Sequence, residues 1–107
     1  MGRFDQLDKL SADIAAKATA APDASYTAKL MAQGIGKCAQ KFGEEAVELA
    51  LASVSGNAQQ TTAEAADVLY HFLVLLEAAG VAPEAVMAEL KRREGLSGLA
   101  EKAARPS

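Results

Sequence analysis

Several kinds of chemistry are ruled out by what this 107-residue chain does not contain. It has a single cysteine, Cys38, so no internal disulfide can form, and a lone thiol fits a reducing compartment. Its 11 Lys and Arg are outnumbered by 14 Asp and Glu, for a net charge of −3. No broad basic face is available to neutralise nucleic-acid phosphates. The longest apolar run is interrupted by Asp67, His71 and Glu77 and is too short to span a bilayer. The opening Met-Gly-Arg-Phe-Asp-Gln has no apolar leader segment, and Gln6 stands where a myristoylation motif needs Ser or Thr. Together these absences lead us to expect a cytoplasmic protein with neither nucleic acid nor membrane as partner. There is also no Walker-type loop, no Ser/His/Asp triad, no zinc-ligand spacing, and no Glu-x-x-His of the kind that di-iron bundles use.

The most informative gap concerns charge. Between Lys41 and Lys91 there is no Lys or Arg, yet Glu44, Glu45, Glu48, Glu64, Asp67, Glu77, Glu84 and Glu89 all fall in that interval. Helical surfaces ordinarily intersperse the two signs. A divalent cation is the natural counter-charge for such a stretch.

Half of the residues are hydrophobic, enough for a packed core in one domain spanning 1–107. The apolar spacing is helical throughout, and no strand-like alternation or internal repeat interrupts it. Phe4, Leu7, Leu10 and Ile14 mark a first helix over about 4–20. Pro22 and Asp23 break it, and Ser25 or Asp23 can cap a short second helix that ends near Gly34. A third helix is expected over 37–54. A fourth runs from about 60, or from Thr62 if Thr61-Thr62-Ala63-Glu64 forms a capping box, to Ala79, with Gly80 as its stop. Pro83 suits the first turn of a fifth helix, to about Arg93. The fold class is all-α, a bundle of about five helices. The fourth helix is apolar nearly all the way round from Val68 to Leu76, more than one small chain readily covers, so completion of the bundle by a homodimer is expected.

Glu45 and Glu48 stand three residues apart, as do Glu64 and Asp67, so each pair shares a helix face. The short loop around Gly56 and Asn57 makes the two helices antiparallel neighbours and brings the pairs to similar height. With Glu44, five carboxylates can then project into one inter-helix space, where Mg²⁺, a hard cation that takes oxygen ligands, would relieve their repulsion. The blander reading is a solvated helix face with one capping glutamate; the shared height and the missing cations favour metal. Lys37 and Lys41 lie on the same arc of the third helix, either as simple ion-pair partners or facing a polyphosphate beside the metal. Arg92, Arg93 and Lys102, with Lys91 and Arg105, form a second basic group that could close over the same anion. His71 is read as a hydrogen-bonded core histidine and Cys38 as packing.

Four segments carry a closer signal: Ser25-Tyr-Thr-Ala-Lys-Leu30, Lys41-Phe-Gly-Glu-Glu-Ala-Val-Glu48, Glu64-Ala-Ala-Asp-Val-Leu-Tyr-His71 and Ser97-Gly-Leu-Ala-Glu-Lys102. Over residues 5–105 the chain resembles the phosphoribosyl-ATP pyrophosphohydrolases, all-α enzymes with an ExxE…ExxD metal motif. That motif is shared across a superfamily; the first and last segments point to this member. The resemblance implies a homodimer that uses Mg²⁺ to hydrolyse 1-(5-phosphoribosyl)-ATP to phosphoribosyl-AMP and pyrophosphate, the second step of histidine biosynthesis. It implies Glu45, Glu48, Glu64 and Asp67 as metal ligands, and Glu44 and Glu45 as the catalytic carboxylates. Lys37, Lys41, Arg92, Arg93 and Lys102 are the candidates for binding substrate. A related hydrolase of other nucleoside triphosphates and a non-enzymatic dimerisation module remain the alternatives.

Overall fold

The computed structural model describes residues 2–96 together with 98, 102 and 103. The described residues form five helices: α1 (Asp5–Lys17), α2 (Tyr26–Ala32), α3 (Ile35–Ser55), α4 (Ala58–Ala79) and α5 (Pro83–Arg92). The expected Leu99–Arg105 segment, with Arg105 and most of the Ser97–Lys102 motif, lies largely outside the described residues.

α3 and α4 are the longest helices and pack most extensively against each other. Their connection is only Gly56 and Asn57. Gly56 ends α3 at φ 82°, a left-handed conformation that an L side chain resists. Asn57 then caps α4, its side chain accepting from the Gln60 amide at 2.9 Å. So short a link forces the helices antiparallel: Phe42 meets Phe72, while Glu48 and Ser55 share a cleft with Glu64 and Gln60.

The start of α4 corrects the expectation from sequence. The helix begins at Ala58, and Thr61 and Thr62 lie inside it, their hydroxyls donating to the carbonyls of Asn57 and Ala58 at 2.8 Å. An asparagine directly after a left-handed glycine satisfies the orphan amides one turn before the threonine pair could. α1 is also shorter than expected, stopping at Lys17, and α3 starts two residues earlier, at Ile35. Ser25 does cap α2, accepting from the Ala28 amide at 3.0 Å.

The core is small and lies on one side of the long hairpin. Ile14 of α1, Leu30 of α2, Cys38 of α3 and Leu73 and Val74 of α4 are buried together, with Leu7, Leu10, Met31, Phe72 and Leu75 packed around them. Cys38 also ties α3 to α2, its thiol donating to the Leu30 carbonyl at 3.5 Å, and burial pushes its pKa up. Its role is packing, as expected. α5 contributes nothing to this cluster and bends 104° away from α4. Among the described residues no single helix is long and apolar enough to cross a membrane.

One side of α3 is uncovered. Val47, Leu51 and Val54 recur at helical spacing along α3 and stay exposed, Val54 at 87%. Leu69 on α4 and Met87 and Leu90 on α5 are exposed as well. Within the Val68–Leu76 stretch only Leu69 is exposed, beside Phe4, Leu7 and Leu10 of α1; the rest is buried or partly buried by the chain itself, more completely than expected of one small chain. Gly43 has open space where a side chain would stand, so among the described residues no other backbone approaches it.

Candidate metal centre

On α3, Glu45 and Glu48 are one turn apart and face α4; on α4, Glu64 faces back. Glu45, Glu48 and Glu64 each bring a carboxylate oxygen within 4.8 Å of the other two. Among the described residues no Lys or Arg forms an ion pair with any of the three, so the group responds as crowded like charges must. The Glu45 carboxyl is pushed up to about 7, first by a hydrogen bond with Glu48 and then by burial. The charges of Glu48, Asp67 and Glu64 add to that shift. Two carboxylates cannot share a hydrogen bond unless one keeps a proton. Glu64 Oε2 is buried with no hydrogen-bond partner among the described residues, a costly state for an acid oxygen. A hard-oxygen donor set with a retained proton and an orphaned oxygen fits a divalent cation such as Mg²⁺. Asp67 is exposed one turn from Glu64 and acts on Glu45 through its charge, outside the trio that converges most closely.

Glu44 turns away from this group. It accepts from Gln40 Nε2 at 3.0 Å and pairs with Lys41 Nζ at 3.6 Å. Its pKa is lowered, chiefly by Gln40, then by Lys41 and Lys37. Adjacent residues diverge by about 100° around a helix, which separates it from Glu45. Lys41 is half-buried one turn before Glu45. Its pKa is raised by the Tyr26 phenol, then by Glu44 and Glu45. Lys37, a further turn back, is also half-buried. Both lysines therefore adjoin the carboxylates along α3.

The second basic group is placed differently. On α5, Arg92 grips Glu89 through Nε at 2.9 Å and Nη2 at 2.7 Å, and Arg93 Nε joins at 2.9 Å. Lys102 is exposed. The structure brings together Glu45, Glu48 and Glu64, with Asp67, Lys41 and Glu44 beside them, while Arg92 and Arg93 are engaged with Glu89 on their own helix.

His71 is buried, at 5% exposure, as a core histidine should be, but its Nδ1 has no hydrogen-bond partner. Its contacts are aromatic instead: it meets the Tyr70 ring edge-on at 5.0 Å and the Tyr26 ring at 6.3 Å. Burial, then the Lys41 charge, lower its pKa against a smaller opposing pull from Asp67, so the ring is held neutral. The site therefore continues past Lys41 into an aromatic layer of Tyr26, Tyr70 and His71. Sequence reading gave these tyrosines no role, because they meet only when α2 folds over α4.

A cleft of about 230 Å³ opens on the opposite side of the carboxylates, lined by Glu48, Leu51, Ala52, Ser55, Gln60 and Glu64. The acidic group is thus reachable from outside.

Residues 7–94 match the family model of phosphoribosyl-ATP pyrophosphohydrolase. The chain belongs to that family. It is 59% identical to the phosphoribosyl-ATP pyrophosphatase of Dinoroseobacter shibae over 99 residues, covering 92% of this chain and 97% of that protein. It is 56% identical to the phosphoribosyl-ATP pyrophosphatase of Ruegeria pomeroyi over 100 residues, 94% of this chain and 95% of its relative. The enzyme of that name from Rhizorhabdus wittichii is 57% identical over 100 residues, 94% of each chain. The matched span contains every carboxylate of the site together with Tyr26, Lys37, Lys41 and His71.

Proposed function

We propose that this chain hydrolyses 1-(5-phosphoribosyl)-ATP between its α- and β-phosphates, releasing pyrophosphate and phosphoribosyl-AMP in the second step of histidine biosynthesis. The observation that carries the chemistry is the convergence of Glu45, Glu48 and Glu64, with a carboxylate oxygen of each within 4.8 Å of the others. Family membership carries the choice of substrate.

Glu45, Glu48, Glu64 and Asp67 would hold Mg²⁺. Bound there, the metal supplies charge neutralisation for the departing pyrophosphate and raises the acidity of water. The chain's own residues do the rest. Lys41 and Lys37, one and two turns before Glu45, present positive charge to the polyphosphate as it lies along α3. Of the two candidate catalytic carboxylates, Glu45 stands among the acids that would hold the metal, within 4.8 Å of Glu48 and Glu64, where the attacking water would be met. Glu44, held ionised by Gln40 and Lys41, has little tendency to take a proton and instead fixes the Lys41 ammonium. Arg92, Arg93 and Lys102 are assigned to the outer end of the substrate.

The protein acts as a homodimer in this reading, in the cytoplasm. The exposed Val47–Leu51–Val54 stripe on α3 is apolar, continuous and adjacent to the Glu48 side of the site. A second copy would remove it from water.

The decisive experiment follows pyrophosphate release from phosphoribosyl-ATP, ATP, dUTP and dCTP with Mg²⁺ and with excess EDTA. Mg²⁺-dependent release from phosphoribosyl-ATP, well above the others, is expected. Full activity in EDTA would sink the metal assignment, and equal turnover of dUTP would sink the choice of substrate.

A further inference from the structure

The Ser25–Leu30 segment is the one distinctive motif to which the reaction gives no work, and the structure places its tyrosine at the site. Tyr26 is the first residue of α2 and is 53% exposed, although it sits against two buried groups, Thr27 and His71. One side of its ring is backed by Tyr70, with centroids 6.2 Å apart and planes 22° from parallel. The His71 ring stands nearly perpendicular to the Tyr26 ring, with centroids 6.3 Å apart and planes at 85°. Tyr70 is itself fixed, because its hydroxyl is hydrogen-bonded to Thr27, one residue along from Tyr26. A large ring this firmly supported yet half in solvent is an ordered aromatic surface with an open side.

Its position along the groove gives that surface a use. The residues facing the inter-helix groove run Glu48, Glu45, Lys41 toward the start of α3, one turn of ~5.4 Å at each step. Antiparallel to them on α4 run Glu64, Asp67 and the Tyr70–His71 pair. Tyr26 lies over the Lys41 level: it is near enough to act on the Lys41 ammonium and touches both Tyr70 and His71. The order is therefore metal ligands, then phosphate-facing lysine, then aromatic surface. A nucleotide is built in the same order, with polyphosphate, ribose and purine in line.

We propose that Tyr26 is a substrate-positioning residue that stacks on the purine ring of the nucleotide, with Tyr70 and His71 holding it in place. This rests on the phosphoribosyl-ATP reading of the carboxylate site and adds the group that receives the base. Stacking needs the aromatic face and not the hydroxyl, because every purine presents a π-surface to it.

The test compares Tyr26→Phe with Tyr26→Leu, which keeps bulk and apolarity but removes the ring. Steady-state turnover of phosphoribosyl-ATP is measured with Mg²⁺, alongside competitive inhibition by ATP and by tripolyphosphate, a polyphosphate without a base. Tyr26→Leu should raise KM about tenfold and weaken ATP inhibition in parallel, with kcat largely kept. Tyr26→Phe should behave like the parent, and tripolyphosphate should inhibit all three proteins equally. An unchanged KM in Tyr26→Leu would overturn the proposal, as would Phe failing as badly as Leu. So would parallel loss of tripolyphosphate binding, or a sedimentation shift showing that the ring serves the association of two chains. A parent protein that released no pyrophosphate from phosphoribosyl-ATP would instead remove the functional reading on which the proposal stands, and that result is visible before any variant is made.

Discussion

Two glutamates on this molecule begin with the same intrinsic acidity and end about five pH units apart. Glu89 on α5 is gripped by Arg92 and Arg93 and is pulled down to about 2. Glu45 on α3 faces Glu48, Glu64 and Asp67 and is pushed up to about 7. The α5 cluster carries its own counter-charge and is electrostatically complete. The α3–α4 cluster is not: its crowding raises the proton affinity of Glu45, and Glu64 Oε2 has no hydrogen-bond partner among the described residues. An arrangement with internal neutralisation is a surface feature, whereas one that withholds it keeps a place for something the chain does not supply.

The comparison breaks most visibly if the acids of α3 and α4 are neutralised. Glu48→Gln and Asp67→Asn preserve shape while removing charge, and each should lower turnover by about two to three orders of magnitude, a loss of the size seen when one electrostatic group of an active site is removed. Folding should be kept or improved in the metal-free protein, because like-charge repulsion is relieved. Glu89→Gln, by contrast, should leave Mg²⁺ affinity unchanged. Calorimetric titration of Mg²⁺ beside pyrophosphate release checks both halves. Intact turnover in the two acidic variants would reduce the α3–α4 cluster to a solvated face.

A second contrast lies between the two sides of α3. Cys38 and Ala52 are buried against the chain's own core, whereas Val54 stands 87% in solvent. Val54→Asp should hardly affect a monomer, since surface substitutions are usually worth less than ~0.5 kcal/mol. In a dimer that buries this stripe it places an unpaired charge in an apolar interface and should shift sedimentation to the monomer at micromolar concentration. An unchanged sedimentation coefficient would clear the stripe of that role.

His71 sharpens the line between scaffold and ligand. It lies one turn beyond Asp67 but is buried among aromatic rings. His71→Asn should cost stability of about 1–3 kcal/mol, the usual range for disturbing a buried polar group, while turnover per folded molecule falls far less than in Asp67→Asn. Thermal melting paired with active-site-normalised rates separates the two effects.

Much of this was legible in the chain. The i,i+3 spacing of Glu45/Glu48 and Glu64/Asp67, with no intervening cation, was enough to place three of the four acids in one cluster, because helical periodicity and a short connection fix both face and height. The ends of α4 show where such reading stops. Gly80 stood out as a left-handed stop, but Thr61–Thr62 imitated a capping box that Asn57 had already made unnecessary. Glu44 was read as a fifth converging acid, yet Lys41 and Gln40 compete for it locally and draw it aside. The meeting of Tyr26 with Tyr70 depends on how α2 lies across α4, and no spacing within either segment encodes that.

The smallest expected effect is also the one that tests the opening contrast by sign. For Glu45 the folded-state pKa lies above the unfolded value of 4.5, so the folded protein binds the extra proton. Its contribution is favourable below 4.5 and is lost as pH rises through about 7. For Glu89 the folded value lies below 4.5, so its contribution is present above 4.5 and is lost as pH falls toward about 2. Because the Glu89 side chain is 42% exposed at the surface, solvent screening leaves that second effect slight. Glu45 should therefore pull the melting temperature of the metal-free protein down modestly between pH 4.5 and 7, against His71, whose lowered pKa adds stability as pH rises toward 6.5. Added Mg²⁺ should reverse the Glu45 pull, since its ligands must be deprotonated and metal binding strengthens over the same range. Glu45→Gln should weaken both effects, because it removes the titrating group and one metal ligand together. A metal-free slope that Glu45→Gln leaves unaltered, or the same slope with and without Mg²⁺, would mean that Glu45 is not held protonated by its neighbours. The α3–α4 acids would then resemble Glu89 more than a metal site.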